Sequence, residues 1–197
     1  MISLGLDLSL VETGCVLLED GKILDKWLVK SKPSGKDPVN ELKRLMNIVS
    51  EISNRLMKQN NLNKFIARPY GIVNWKEIDI VIIEGLAYMA RNTTSLLQLS
   101  GLNYMIREHF YNINIPFVIV APTTLKKFIT EKGNSPKEFM LLETYKRYKV
   151  SFDNNNLCDA YGLAKIGEAL LNKKIKLTKK QEEAINKLKE QTYEKTK

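Results

Sequence analysis

The opening residues leave this chain little freedom in how it begins to fold. In ISLGLDLS, Leu4, Leu6 and Leu8 alternate with Ser3, Gly5 and Asp7, and a period of two puts one set on each face of a β-strand. The leucine face needs a core. The opposite face carries a carboxylate, and Gly5, like Gly14 further on, suits close backbone packing. After Glu12 to Gly14, CVLLE and KILDKWLV predict two more strands around Asp20-Gly21, a pair suited to a tight reversing hairpin. The simplest start is therefore three antiparallel strands.

Asp37 can cap the orphan amides of a helix and Pro38 fits its first turn. Leu42, Leu45, Met46, Val49, Ile52 and Leu56 then share a helical face, which predicts a helix over 38–58. Residues 59–76 read as an extended connection or insertion, with Arg68, Tyr70, Trp75 and Lys76 open to packing, solvent or DNA. IDIVIIE predicts a buried strand, SLLQLSGLNYMIREHFY a helix and PFVIVAP another strand. Ser135, Pro136 and Glu138 form a capping-box start for a further helix. A last core helix is expected from about Asn156 through Leu171, and Thr178 begins an amphipathic arm containing Ala184, Ile185 and Leu188. The order predicts an α/β chain with a mixed central sheet flanked by helices and a C-terminal helical arm.

Charge divides the chain unevenly. Lysine and arginine number 31 against 22 acidic residues, for a formal charge of +9. Residues 172–197 hold nine lysines and four glutamates, so they carry +5 and residues 1–171 carry +4. The expected organisation is a domain over 1–171 followed by a basic arm over 172–197. No apolar run reaches the roughly 18 residues that cross a bilayer, and a cytoplasmic location with no membrane partner is expected. Cys15 and Cys158 are too few for a disulfide scaffold or a metal cluster. His109 has no second histidine or cysteine ligand in its neighbourhood, so it reads as helix packing rather than zinc binding. Cys158 reads as a buried thiol. Leu96, Leu99, Leu102 and Met105 read either as core or as a subunit seam.

Three acids stand out by position. Asp7 lies on the polar face of the first strand, Glu84 ends IDIVIIE, and Asp159 sits near the start of the last core helix with Asn156 three residues before it. Converging carboxylates repel one another, and a hard divalent cation such as Mg2+ offsets that repulsion with oxygen ligands. From the residues alone, a metal site and ordinary caps or salt bridges both stay open.

In LGLDLSLVETG, IIEGLAYMARNTTSLLQLSGLNYMI, VIVAPTTLKKFITEKGNSPKEF and LCDAYGLAKIG, the chain resembles the RuvC family of Holliday junction resolvases within the RNase H-like nuclease superfamily. The resemblance implies an RNase H-like fold and a homodimeric endonuclease. That enzyme would resolve four-way DNA junctions by paired phosphodiester hydrolysis, leaving 5'-phosphate and 3'-hydroxyl ends. It puts Asp7, Glu84 and Asp159 at acidic metal-ligand positions, for two Mg2+ ions per site with Mn2+ as an alternative ion. Asn156 falls where the family pattern has a further acid, and Asp153 could compensate from the preceding loop. Lys126 and Lys137 fall at positions that assist the scissile phosphate. Tyr88, Arg91 and Asn92 belong to a loop expected to approach opened DNA, and Lys127 and Lys132 are weaker backbone contacts. Two other readings remain: a broader nuclease for flaps, forks or replication intermediates, and a catalytically impaired DNA-binding protein.

Overall fold

The computed structural model describes residues 1–33, 35, 37–59, 78–86 and 93–189. The predicted 59–76 connection, with Arg68, Tyr70, Trp75 and Lys76, lies almost wholly outside them. Tyr88, Arg91 and Asn92 lie outside them as well.

The N-terminal strands β1 (Ile2–Asp7), β2 (Glu12–Glu19) and β3 (Lys22–Lys30) pair antiparallel in succession. Asp20 and Gly21 have φ of 47° and 79°, the two positive values that a type I′ hairpin requires. Helix α1 (Pro38–Gln59) follows, its start capped by Asp37 Oδ1, which accepts from the Val39 amide at 2.9 Å. Strand β4 (Ile80–Glu84) pairs parallel to β1, and β5 (Phe117–Val120) pairs parallel to β4. Helix α2 (Thr93–Asn112) makes the crossover between them. The sheet order is β3-β2-β1-β4-β5, a mixed five-stranded sheet with β1 and β4 shielded on both sides. That is the RNase H-like α/β arrangement the sequence predicts.

Each face of β1 serves a different layer. Ile2, Leu4, Leu6 and Leu8 join a core with Leu45, Ile48, Ile52, Leu102, Ile106 and Phe110 under α1 and α2. On the other face run α3 (Pro122–Thr130), α4 (Lys137–Tyr148), α5 (Asn155–Leu171) and α6 (Lys179–Lys189). Leu102 is fully buried and Leu99 and Met105 pack against the same cluster, so this side of α2 is core. No helix among the described residues is long and apolar enough to cross a membrane.

Two helix starts differ from the sequence reading. At α4 the flanking residue is Pro136, extended at φ −62° and ψ 159°, with no side-chain cap. Ser135 lies one position too early and its hydroxyl is held instead by the Lys132 carbonyl and Thr130 Oγ1. The α5 cap is Asn154, whose Oδ1 accepts from the Leu157 amide at 3.1 Å. The capping box is found at α6 instead. There the Thr178 amide donates to Gln181 Oε1 at 3.1 Å, while the Gln181 amide reaches back to Thr178 Oγ1 at 3.4 Å.

Helix α6 is docked. Ala184, Ile185 and Leu188 are buried in the cluster that contains Leu125, Phe128, Ile129 and Leu163. Gln181 Nε2 donates to the Phe128 carbonyl at 3.1 Å and to the Tyr148 hydroxyl at 3.3 Å. Removing that amide leaves a buried carbonyl without its donor, at a cost of about 1–2 kcal/mol. Gln181→Ala is accordingly expected to lower the melting temperature by about 3–6 °C, read by calorimetry.

Candidate active site

The packing of α5 on β1 builds this site. A Cβ on Gly5 would stand 2.0 Å from the Ala160 carbonyl oxygen and 2.5 Å from the Ala164 amide nitrogen, and one on Gly14 would stand 2.2 Å from the Asn156 carbonyl oxygen. Backbone lies against backbone there, which only glycine permits. Ser3 Oγ, donating to the Ala164 carbonyl at 2.9 Å, continues the contact. Helix α5 thus lies along the Ser3–Gly5–Asp7 face with its first turns at the Asp7 end.

The three acids lie on three elements, within electrostatic reach of one another. Leu6 pairs with Ile83 across the parallel β1–β4 ladder, so the next residues, Asp7 and Glu84, leave neighbouring strand ends side by side. Their carboxyl groups are within hydrogen-bonding reach of each other. Burial raises the Asp7 carboxyl well above the usual carboxylate range, and the adjacent Glu84 charge raises it further. Burial also lifts Glu84, as does the charge of Asp159, while the bond from Asp7 pulls it back. Asp159 is pushed up to about 6 by burial and then by the charge of Asp7.

Two lysines oppose this negative charge. Lys137, at the first residue of α4, acts on Asp7, Glu84 and Asp159, and Lys126 of α3 acts on Glu84 and Asp159. Lys127 turns the other way and pairs with Glu183 of α6 at 2.7 Å. Lys132 is exposed in the turn after α3.

Asn156 faces elsewhere. Its Nδ2 donates to the Glu12 carbonyl at 2.8 Å and lies 3.4 Å from Glu12 Oε1. The same Glu12 carboxylate accepts from Asn154 Nδ2 at 2.6 Å and pairs with Lys30 at 3.2 Å, and these partners hold its carboxyl below the usual range. Glu12 was missing from the sequence reading because its importance is tertiary: it ties the start of β2 to the start of α5. The run Asn154-Asn155-Asn156 ahead of the helix was the available signal. Asp153 is exposed. Asn156→Asp would set a second carboxylate against the Glu12 carbonyl and carboxylate, so it is expected to lower stability by about 1–2 kcal/mol, measured by urea unfolding.

Neither cysteine is prepared as a nucleophile. Burial raises the Cys15 thiol well above its ordinary value, and Cys158 is pushed up to about 11, with its thiol directed to Thr144 Oγ1 at 3.4 Å. His109 is half-buried, its ring edge-on to Phe110 with centroids 5.3 Å apart.

The donor set suits a hard divalent cation in kind and charge. Three carboxyl groups are desolvated, and burial followed by their mutual repulsion raises their pKa values, a repulsion a cation would offset. Asp7 and Glu84 have converged. No three His, Cys, Asp or Glu side chains among the described residues stand close enough to hold one ion together, so Asp159 would have to approach the pair for all three to share an ion.

No protein-family model and no curated protein matches the chain. Solved structures do. A Thermus thermophilus RuvC structure superposes with a TM-score of 0.59 at 17% identity, covering 83% of this chain and 91% of that one. T. thermophilus RuvC in complex with a Holliday junction substrate superposes with a TM-score of 0.60 at 15% identity, covering 83% and 90%. At such identity the likeness establishes a shared fold, the RuvC-like form of the RNase H-like architecture.

Proposed function

We propose that this chain is a Mg2+-dependent, structure-selective endodeoxyribonuclease that resolves four-way DNA junctions by paired phosphodiester hydrolysis. The observation that supports this reading is the pairing of Asp7 with Glu84 at neighbouring strand ends, within electrostatic reach of Asp159, Lys126 and Lys137, on a RuvC-like fold.

Asp7, Glu84 and Asp159 would hold the ions. Bound there, divalent ions would lower the pKa of water and neutralise charge gathering on the phosphate oxygens. Glu84, on the strand end beside Asp7, would share its ligands with that neighbour. Lys137 and Lys126 would hold the non-bridging oxygens as point charges; water attack at phosphorus with departure of the 3'-oxygen, as the resemblance implies, would leave 5'-phosphate and 3'-hydroxyl ends. Glu12 would act through Asn154 and Asn156, fixing the first turn of α5 and hence Asp159. All five groups at the centre lie within residues 1–171, the proposed nuclease domain. Residues 172–197 would add basic charge for the DNA backbone.

Paired cuts need two sites facing two strands, which a homodimer provides. Leu97, Tyr104 and Tyr111 are 73%, 65% and 53% exposed at seven-residue spacing along α2, an apolar stripe suited to a second copy. Leu97→Glu is expected to shift the wild-type dimer to monomer in light scattering and to uncouple the two cuts.

The deciding experiment offers end-labelled four-way junction, fork, flap and linear duplex with Mg2+. The junction should be cut in pairs, in preference to the duplex. Equal rates on junction and duplex would remove the resolvase reading, and preference for flaps would favour the broader nuclease. Binding without cleavage would favour an impaired DNA-binding protein.

A further inference from the structure

One residue beyond Glu84, the chain borders a cavity of about 240 Å³ that takes in Gly85, Leu86, Thr124, Arg107 of α2 and Lys187 of α6. Two cations line it, and none of its lining residues among those described is acidic. Arg107 is held over the Tyr104 ring, 4.8 Å from Cζ to centroid. Its Nε is buried and meets no hydrogen-bond acceptor among the described residues. A buried donor left unmet is costly unless a ligand supplies the acceptor.

Lys187 borders this cavity and also an adjoining one lined by Lys127 and Glu183. Glu183 stands four residues before it on α6, the spacing at which Glu and Lys ordinarily pair along a helix. Here Lys127 takes Glu183 Oε2 at 2.7 Å and Lys180 lies 3.4 Å from the same oxygen. Lys187 forms no ion pair with a described residue.

From the Arg107 donor unmet, the Lys187 ammonium unpaired and the lining without an acid among the described residues, we infer that this cavity binds a phosphodiester of the cleaved DNA strand, beside the phosphate at the acids. The inference rests on the nuclease reading for its location. A guanidinium fork and an ammonium group together suit phosphate oxygens. DNA offers a phosphate about every 3.4 Å of helix axis along one strand, so a neighbour of the reacting phosphate is within reach. The cavity would thus hold the strand in register with the acids, and α6 would belong to the DNA surface through Lys187 itself.

The test compares full-length wild type with Arg107→Met and Lys187→Gln, each checked for an unchanged melting temperature. Binding of a four-way junction and of a single-stranded oligonucleotide is followed by anisotropy in EDTA over a salt series. Each variant should bind about five- to tenfold more weakly, with the log–log salt slope reduced by about 0.7–0.9. A neutral methylphosphonate at the phosphate flanking the cleaved bond should weaken wild type by a similar factor and the variants no further. Wild-type affinity and slope in both variants would overturn the proposal. So would inorganic phosphate binding, seen by 31P line broadening, that Arg107→Met abolishes while DNA affinity is untouched, because the cavity would then serve a free anion. If wild type shows no junction preference yet both variants lose affinity for the single strand, the site stands and the resolvase reading falls.

Discussion

Asp7→Asn is expected to lower single-turnover junction cleavage by about a thousandfold or more, corresponding to about 4 kcal/mol of transition-state stabilisation, with junction affinity in EDTA unchanged. Asp7 lies where β1 ends against Glu84, and its loss removes charge from the centre while leaving Lys126, Lys137 and the outer surface in place. The same substitution should make the metal-free protein more stable, by about 1–2 kcal/mol or about 3–6 °C, since a desolvated carboxyl in a like-charged pocket is replaced by a neutral amide. Asp159 gives this a pH signature. Its folded-state pKa is raised to about 6 from 3.8, so between those values the folded chain binds more protons than the unfolded chain, and its contribution to stability falls as pH rises. Above about pH 6 the loss is complete. Asp159→Asn should therefore exceed wild type in denaturant midpoint at pH 7.5 and match it near pH 4, when divalent ions are absent. Unchanged cleavage in a folded Asp7→Asn protein would remove Asp7 from the chemistry.

The second large effect is steric. Gly5→Ala should destabilise the chain by about 4 kcal/mol or more, at the upper end for a single substitution, and should lose cleavage with it. The added methyl carbon would meet the Ala160 carbonyl oxygen at 2.0 Å and the Ala164 nitrogen at 2.5 Å. Both atoms belong to the backbone of α5, so relief requires the helix to lift from the sheet and carry Asp159 away from Asp7. Gly101→Ala is the control. On α2 its Cβ would meet only Leu45 Cδ1, at 3.4 Å, and replacing glycine inside a helix should stabilise by about 0.5–1 kcal/mol. Calorimetry on the two variants separates glycine required by contact from glycine merely tolerated.

What could be read in advance followed local pattern. The alternation in β1, the Asp20-Gly21 hairpin and the Asp37-Pro38 helix start depend on neighbours in sequence, and each is found where expected. Where tertiary contacts decide, local reading fell short. Ser135 has the chemistry of a cap, yet Thr130 and Lys132 engage it first. Lys127 and Lys126 are adjacent in sequence, but only the docking of α6 turns Lys127 toward Glu183. The amphipathic pattern around Ala184 and Leu188 announces a buried face without saying which surface receives it. Asn156 matched a motif position by spacing, and its amide is directed by Glu12, distant in sequence. The acids themselves were recognisable because they end or begin regular elements, whereas Arg107 and Lys187 sit within helices and acquire meaning only as neighbours.

The origin of the three acids also bears on when such a chain could act during its own synthesis. Asp7 is made before all of α1 and its neighbour Glu84 after it, and Asp159 is made only once α3, α4 and the first turn of α5 have followed. Pairings between distant segments form late, after the cost of closing long loops has been met. A nascent chain that has not yet reached α5 therefore carries at most two of the acids, and a fragment cut at any point between α1 and α5 carries fewer than three. For a chain whose proposed work is breaking DNA, this spacing withholds the assembled centre until α5 has been made and docked on β1.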